Sequence, residues 1–165
     1  MDPALIVIGI SAVIFGILPI ALRSSAVYIF LTLAAGELLS RLTAQDATQF
    51  VRSFPAPNSM PTYSIVQISL LLVVPILILI AYKNSMKPSQ LFFHLLPALA
   101  SVLVCVMLVT AKLPYETKDV VENSGIFKVI EPFFSVAVAA GLLSSAFYLM
   151  AIKPKHDKHK KHRHK

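Results

Sequence analysis

The sequence predicts an all-α integral membrane protein: a bundle of about five transmembrane helices, N-out and C-in, with a disordered basic C-terminal tail. Three observations carry that expectation. Only 14% of the 165 residues are charged and 56% are hydrophobic, whereas a soluble domain carries about 25% charge. The apolar residues lie in blocks that approach the roughly 20 residues needed to cross a bilayer. The net charge of +7 is concentrated at one end. Residues 153–165, KPKHDKHKKHRHK, hold six Lys, one Arg and one Asp, so the rest of the chain is close to neutral.

Five blocks are expected to span, at 4–22, 25–41, 63–82, 91–111 and 132–152, making residues 1–152 one transmembrane domain and 153–165 a cytoplasmic Lys/His-rich tail. The first two are divided only by Arg23-Ser24-Ser25. As one helix, residues 4–42 would be about 58 Å long, nearly twice the hydrocarbon thickness. The chain must therefore turn there, with Pro19 weakening the end of the first helix and Ser24 or Ser25 capping the second. The acidic start Met1-Asp2-Pro3 lacks the positive region of a cleaved signal peptide, so the first block is read as a span.

Five crossings place the termini on opposite sides, and Lys and Arg decide which. With the C-terminus inside, ten basic residues lie inside against five outside, Arg41, Arg52, Lys112, Lys118 and Lys128. The expected location is the cell membrane. Tyr28, Tyr63, Tyr82, Tyr115 and Tyr148 all fall near proposed boundaries, where an apolar ring with a hydroxyl is favoured.

Between the second and third spans, Ala47, Phe50, Val51 and Phe54 repeat at helical spacing, which predicts a short helix lying flat on the outer leaflet before the proline-rich PAPNSMP. Between the fourth and fifth spans, Glu116, Asp119 and Glu122 recur at spacing three, but no calcium-loop pattern accompanies them. Asn123-Ser124-Gly125 predicts a helix stop, after which the fifth helix begins early with Pro132 as a kink.

Few residues could carry chemistry. Glu37 is the one carboxylate within a span. Arg23 and Arg41 are 18 residues apart, about 27 Å of helix, so they mark the two edges of the second span. Glu37 then sits one turn below the outer edge with Arg41 at i+4, either as an ion pair or as an outer gate. Pro19, Pro75 and Pro97 fall in the inner half near His94, a candidate cavity. Rows of small residues at spacing four, including Gly36 with Ser40 and Ala137 with Gly141 and Ser145, predict close helix packing. In the tail, Lys153, Lys155, Lys158, Lys160, Lys161, Arg163 and Lys165 are candidates for anionic-lipid contact. His156, His159 and His162 are weak metal candidates, disfavoured by these cationic neighbours. The single cysteine, Cys105, permits no intrachain disulfide.

No nucleophile elbow, zinc-protease motif, phosphate loop or dinucleotide fingerprint is present. No cofactor is expected, and no catalytic residue is assigned. The favoured reading is a non-catalytic scaffold, assembly or interaction subunit. Its partners would be the lipid bilayer, other membrane proteins or further copies of itself, and anionic headgroups; nucleic acid is disfavoured. A small oligomeric channel or transporter is the alternative, and a membrane-embedded enzyme has the least support.

Overall fold

The computed structural model describes residues 3–53, 62–82 and 91–151. Among these, 92% are helical and none is in a strand. Four helices are long and apolar enough to cross a membrane, Ala26–Arg52, Thr62–Ala81, His94–Lys112 and Gly125–Met150, and a shorter apolar helix covers Leu5–Ala21. The basic tail and its lysines, arginine and histidines lie outside the described residues.

The first helix has three parts: α1 (Pro3–Ser11), a π-helical turn (Ala12–Ile17) and α2 (Leu18–Ala21). Pro19 has no N–H for the Phe15 carbonyl, and just upstream the Leu18 N–H reaches back to Val13 O, five residues away. This is a π-bulge with a proline beside it as its cause. The helix ends where the sequence predicts a turn. Ser24 N–H donates to Pro19 O at 2.8 Å and Arg23 N–H to Ile20 O at 3.1 Å, the paired bonds of a Schellman end. Arg23 occupies the left-handed position with φ 50°, where a non-glycine residue costs roughly 1–2 kcal/mol. Ser25 stands at the N-cap of the next helix, but its side chain makes no capping bond, so the expected serine cap is supplied by position alone.

Helix α3 (Ala26–Arg52) does not stop at Arg41. Its 27 residues measure about 40 Å, which exceeds the hydrocarbon core. Phe54 and the PAPNSMP stretch lie outside the described residues, while Ala47, Phe50 and Val51, expected to lie flat on the outer leaflet, instead prolong this helix. Their buried face is Ala44 and Thr48, continuing the row from Gly36 and Ser40, while Phe50 points outward.

Helix α4 (Thr62–Ala81) packs antiparallel on α3 through a contact that depends on a proline and a glycine. Pro75 leaves the Leu71 carbonyl without its usual helical donor. That carbonyl lies directly against Gly36, where an added Cβ would collide with Leu71 O. One turn along, Ser40 Oγ donates to Gln67 O at 3.0 Å. The small-residue row of α3 therefore meets a row of backbone carbonyls on α4. At the far end of the same interface, the Tyr28 and Tyr82 rings stand 5.4 Å apart.

Helix α5 (Leu91–Lys112) is central, touching α1, the π-turn, α3 and α8. Ser11 Oγ lies 3.7 Å from Cys105 Sγ, and Gly16 faces Val102. On its other side, Gly141 of α8 (Phe134–Ala151) fits against Phe30 and Ala100, and His94 meets Tyr148 edge-on with centroids 4.7 Å apart. Both α1 and α8 run antiparallel to α5, which places Pro3 and Ala151 at opposite ends of the bundle. Phe15, Ile29, Phe30, Leu33 and Leu71 form the core around α5.

Two short helices, α6 (Tyr115–Glu122) and α7 (Gly125–Ile130), close the Lys112 end. Val121 and Phe127 pack there with Val106, beside Val7 and Ile8 of α1. The stop at Asn123-Ser124-Gly125 separates them, and Ser124 Oγ caps α7 by accepting from Phe127 N at 3.2 Å. Pro132 lies in a 3-10 turn, Glu131–Phe133, between α7 and α8. The last apolar helix thus begins early, at Gly125, ahead of the expected span at 132–152, with Pro132 in the turn that interrupts it.

A prediction separates the two glycine contacts. Gly36→Ala meets a fixed carbonyl and should cost roughly 1–3 kcal/mol of overpacking. Gly141→Ala meets mainly the far edge of the Phe30 ring, which can move. In detergent, thermal unfolding should therefore fall more for the first variant, and Phe30→Leu should rescue the second only.

Candidate functional site

The candidate site grows from one turn of α3, Gly36 to Arg41. Gly36 and Ser40 face α4, while Glu37 and Arg41 lie on an adjacent face. Their i,i+4 spacing brings Arg41 Nε within 2.6 Å of Glu37 Oε1. The Arg41 side chain is 71% exposed, so this bond contributes no more than about 1 kcal/mol.

The stronger partner comes from another helix. Lys112, in the last turn of α5, brings Nζ within 3.0 Å of Glu37 Oε2. This is an ion pair without the alignment of a hydrogen bond to that oxygen. Lys112 is 8% exposed and Glu37 14%. A lysine at a helix C-terminus is also favoured by the partial negative charge of the last carbonyls. Burial makes Lys112 depend on this carboxylate: without it the ammonium would be stranded in a poorly solvated place, whereas Glu37 also has Arg41. The carboxylate thus contacts two cations, one on its own helix and one on α5.

Beside this turn lies a cavity of about 500 Å³ between the end of α5 and the segment from α6 to α8. Arg41 forms part of its wall, together with Thr110, Glu122, Phe127, Glu131 and Phe134. Thr110 is 1% exposed and its hydroxyl has no hydrogen-bond partner. A buried hydroxyl in that state is uncommon. The cavity thus combines a guanidinium, two carboxylates and aromatic surface, with a covered, unpartnered hydroxyl within its wall. Sequence reasoning did not find Thr110 or Lys112 as members of a site. The available signal was Lys112 at the outer end of its span, level with Glu37, but nothing in one sequence says which helices are neighbours.

The inner-half candidates are placed differently. Pro19, Pro75 and Pro97 are all fully buried, enclosed by neighbouring side chains. His94 is 1% exposed, and both ring nitrogens lack partners. Ser24, Ser25 and Ser145 carry buried hydroxyls in the same condition toward the same end of the bundle. The packing candidates Gly36, Ser40, Ala137, Gly141 and Ser145 are all buried inside the bundle.

The acidic row on α6 does not converge. Glu122 pairs with Lys118 at 3.6 Å, and Asp119 Oδ1 accepts from Asn123 Nδ2 at 3.1 Å. Among the described residues, no three His, Cys, Asp or Glu side chains form a group that could hold a metal ion. No protein-family model, curated protein or solved structure matches this chain.

Charge removal tests the buried pair. Glu37→Gln strands Lys112 and should cost about 3–5 kcal/mol, the usual penalty for breaking a buried pair. The double variant Glu37→Gln/Lys112→Met should recover most of that loss, because no buried charge is left unpaired and Arg41 is exposed. Arg41→Gln should change stability by less than about 1 kcal/mol. Thermal unfolding in detergent ranks all three.

Proposed function

We propose that this is a five-span membrane protein, N-out and C-in in the cell membrane, that acts by binding as a non-catalytic assembly or interaction subunit. The observation that carries the reading is the state of Glu37. The carboxylate that would serve an ion pathway is held between Lys112 and Arg41. In this reading α1 with its π-turn and α2 is the first of the five spans, tilted little because the 17-residue apolar helix Leu5–Ala21 reaches only about 26 Å.

The surface left for partners is broad. Val73, Leu77 and Ile80 make an exposed apolar stripe on α4, and Val136, Leu143 and Phe147 make one on α8. The Gly36–Ser40 and Ala137–Gly141–Ser145 rows are turned inward, so a partner would meet large apolar side chains. The basic tail would add attraction to anionic headgroups of the cytoplasmic leaflet, up to about 1 kcal/mol per residue. A second reading, a small oligomeric channel or transporter, is favoured by one observation: His94, Ser24, Ser25 and Ser145 hold unpartnered polar atoms toward the inner end.

Orientation can be tested first. Cys105 is buried, so background thiol labelling should be low. Asp119→Cys should react with a membrane-impermeant maleimide added to intact cells, whereas Arg23→Cys should react only after permeabilisation. The opposite pattern would reverse the topology.

Function is tested on the full chain in mild detergent and in vesicles. A membrane protein should co-purify at fixed stoichiometry and be lost when Leu77 and Phe147 are changed to Ser. Reconstituted vesicles should show no ion or solute flux above protein-free controls. A chain that purifies alone and supports flux abolished by His94→Ala would instead establish the transport reading.

A further inference from the structure

We propose that the cavity at the Lys112 end binds the headgroup of a zwitterionic phospholipid bearing a primary ammonium. The phosphate would sit on Arg41 and the ammonium on Glu131, with Glu122, already paired with Lys118, at the edge of the site. The proposal rests on the reading that the chain spans a membrane, but not on which side this end faces.

Four features of the cavity point to that ligand. First, its charges are of both signs and separated within one space: Arg41 on α3, Glu122 on α6 and Glu131 in the turn before α8. A ligand with a phosphate anion tethered to an ammonium answers both. Second, Arg41 gives Nε to Glu37, and a guanidinium carries five donors in a planar fork that suits phosphate. Third, Thr110 belongs to the same wall with a hydroxyl that is covered and has no partner; a phosphate or ester oxygen accepts from it where the wall side chains move aside. Fourth, Phe127 and Phe134 line the same space, and Val129, Phe133 and Val136 are exposed nearby in sequence. That apolar surface suits the glycerol and first acyl carbons of a lipid rather than a free water-soluble phosphate.

The carboxylates set selectivity. A primary ammonium offers three N–H donors to them. A quaternary ammonium keeps the charge but offers no N–H donor. An anionic glycerol headgroup brings no cation and leaves Glu131 facing added negative charge. Charge-assisted hydrogen bonds to the carboxylates predict a preference for ethanolamine over choline of roughly tenfold or more.

The test uses the full chain in vesicles and then in mild detergent. Carbonate extraction first establishes that the chain is embedded. Native mass spectrometry then follows retention of dioleoyl phosphatidylethanolamine, phosphatidylcholine and phosphatidylglycerol at matched concentrations. The expected result is one tightly retained phosphatidylethanolamine per chain. Glu131→Gln should lower its retention about tenfold, toward that of phosphatidylcholine, without changing thermal stability. Arg41→Gln should lower retention of both zwitterionic lipids, and Arg41→Lys should restore part of it. Equal retention of the three lipids by an embedded chain overturns the site alone, as does an unchanged Glu131→Gln variant. Release of the chain by carbonate overturns the membrane reading and the site with it.

Discussion

The buried ion pair between Glu37 and Lys112 is the constraint around which the rest of this structure is arranged. Each charge is poorly exposed, and in that setting the lysine is not tolerable without the carboxylate. Pairing them fixes the register of α3 against α5, because Lys112 closes α5 and Glu37 lies about two-fifths of the way along α3. With that register set, the rest of α5 falls beside Phe30 and Leu33 of α3 and beneath Gly141 of α8. The pair also anchors Arg41 at the cavity mouth by holding its Nε.

The same helical turn works on α4 through backbone chemistry. Pro75 costs its helix one hydrogen bond and leaves a carbonyl whose polarity must be accommodated. Gly36 allows that carbonyl to come against the α3 backbone, and Ser40 supplies a hydroxyl to the carbonyl one turn away. The proline and the glycine are therefore one device divided between two helices. Pro19 is handled differently: a π-bulge absorbs it within its own helix, and the Schellman end that follows turns the chain back within three residues.

The two ends of the bundle are unlike in chemistry. At the Lys112 end, opposite charges are paired and a cavity remains beside them. At the other end, His94 and three serines are buried without partners, a condition that usually calls for ordered water or a ligand. A protein that acts by binding can use the first end for a headgroup and its apolar flanks for other membrane proteins. The second end marks where a transport reading would have to begin.

Much of the architecture was legible in the sequence because it follows from one-dimensional chemistry. Apolar block length sets helices, Arg23-Ser24-Ser25 forces a turn, Asn123-Ser124-Gly125 stops a helix, and i,i+4 spacing brings Arg41 to Glu37. The continuation of α3 to Arg52 was not legible. A single sequence shows the Ala47–Phe50–Val51 face as amphipathic but does not reveal that Ala44 and Thr48 are covered. Neither was Lys112 as the main partner of Glu37, nor Thr110 on a cavity wall, since both depend on which helices are neighbours and at what height. Local spacing determined the elements of this protein and their order. Only tertiary packing decided which charges share a buried site, because the cost of burying a charge is set by what lies across the interface.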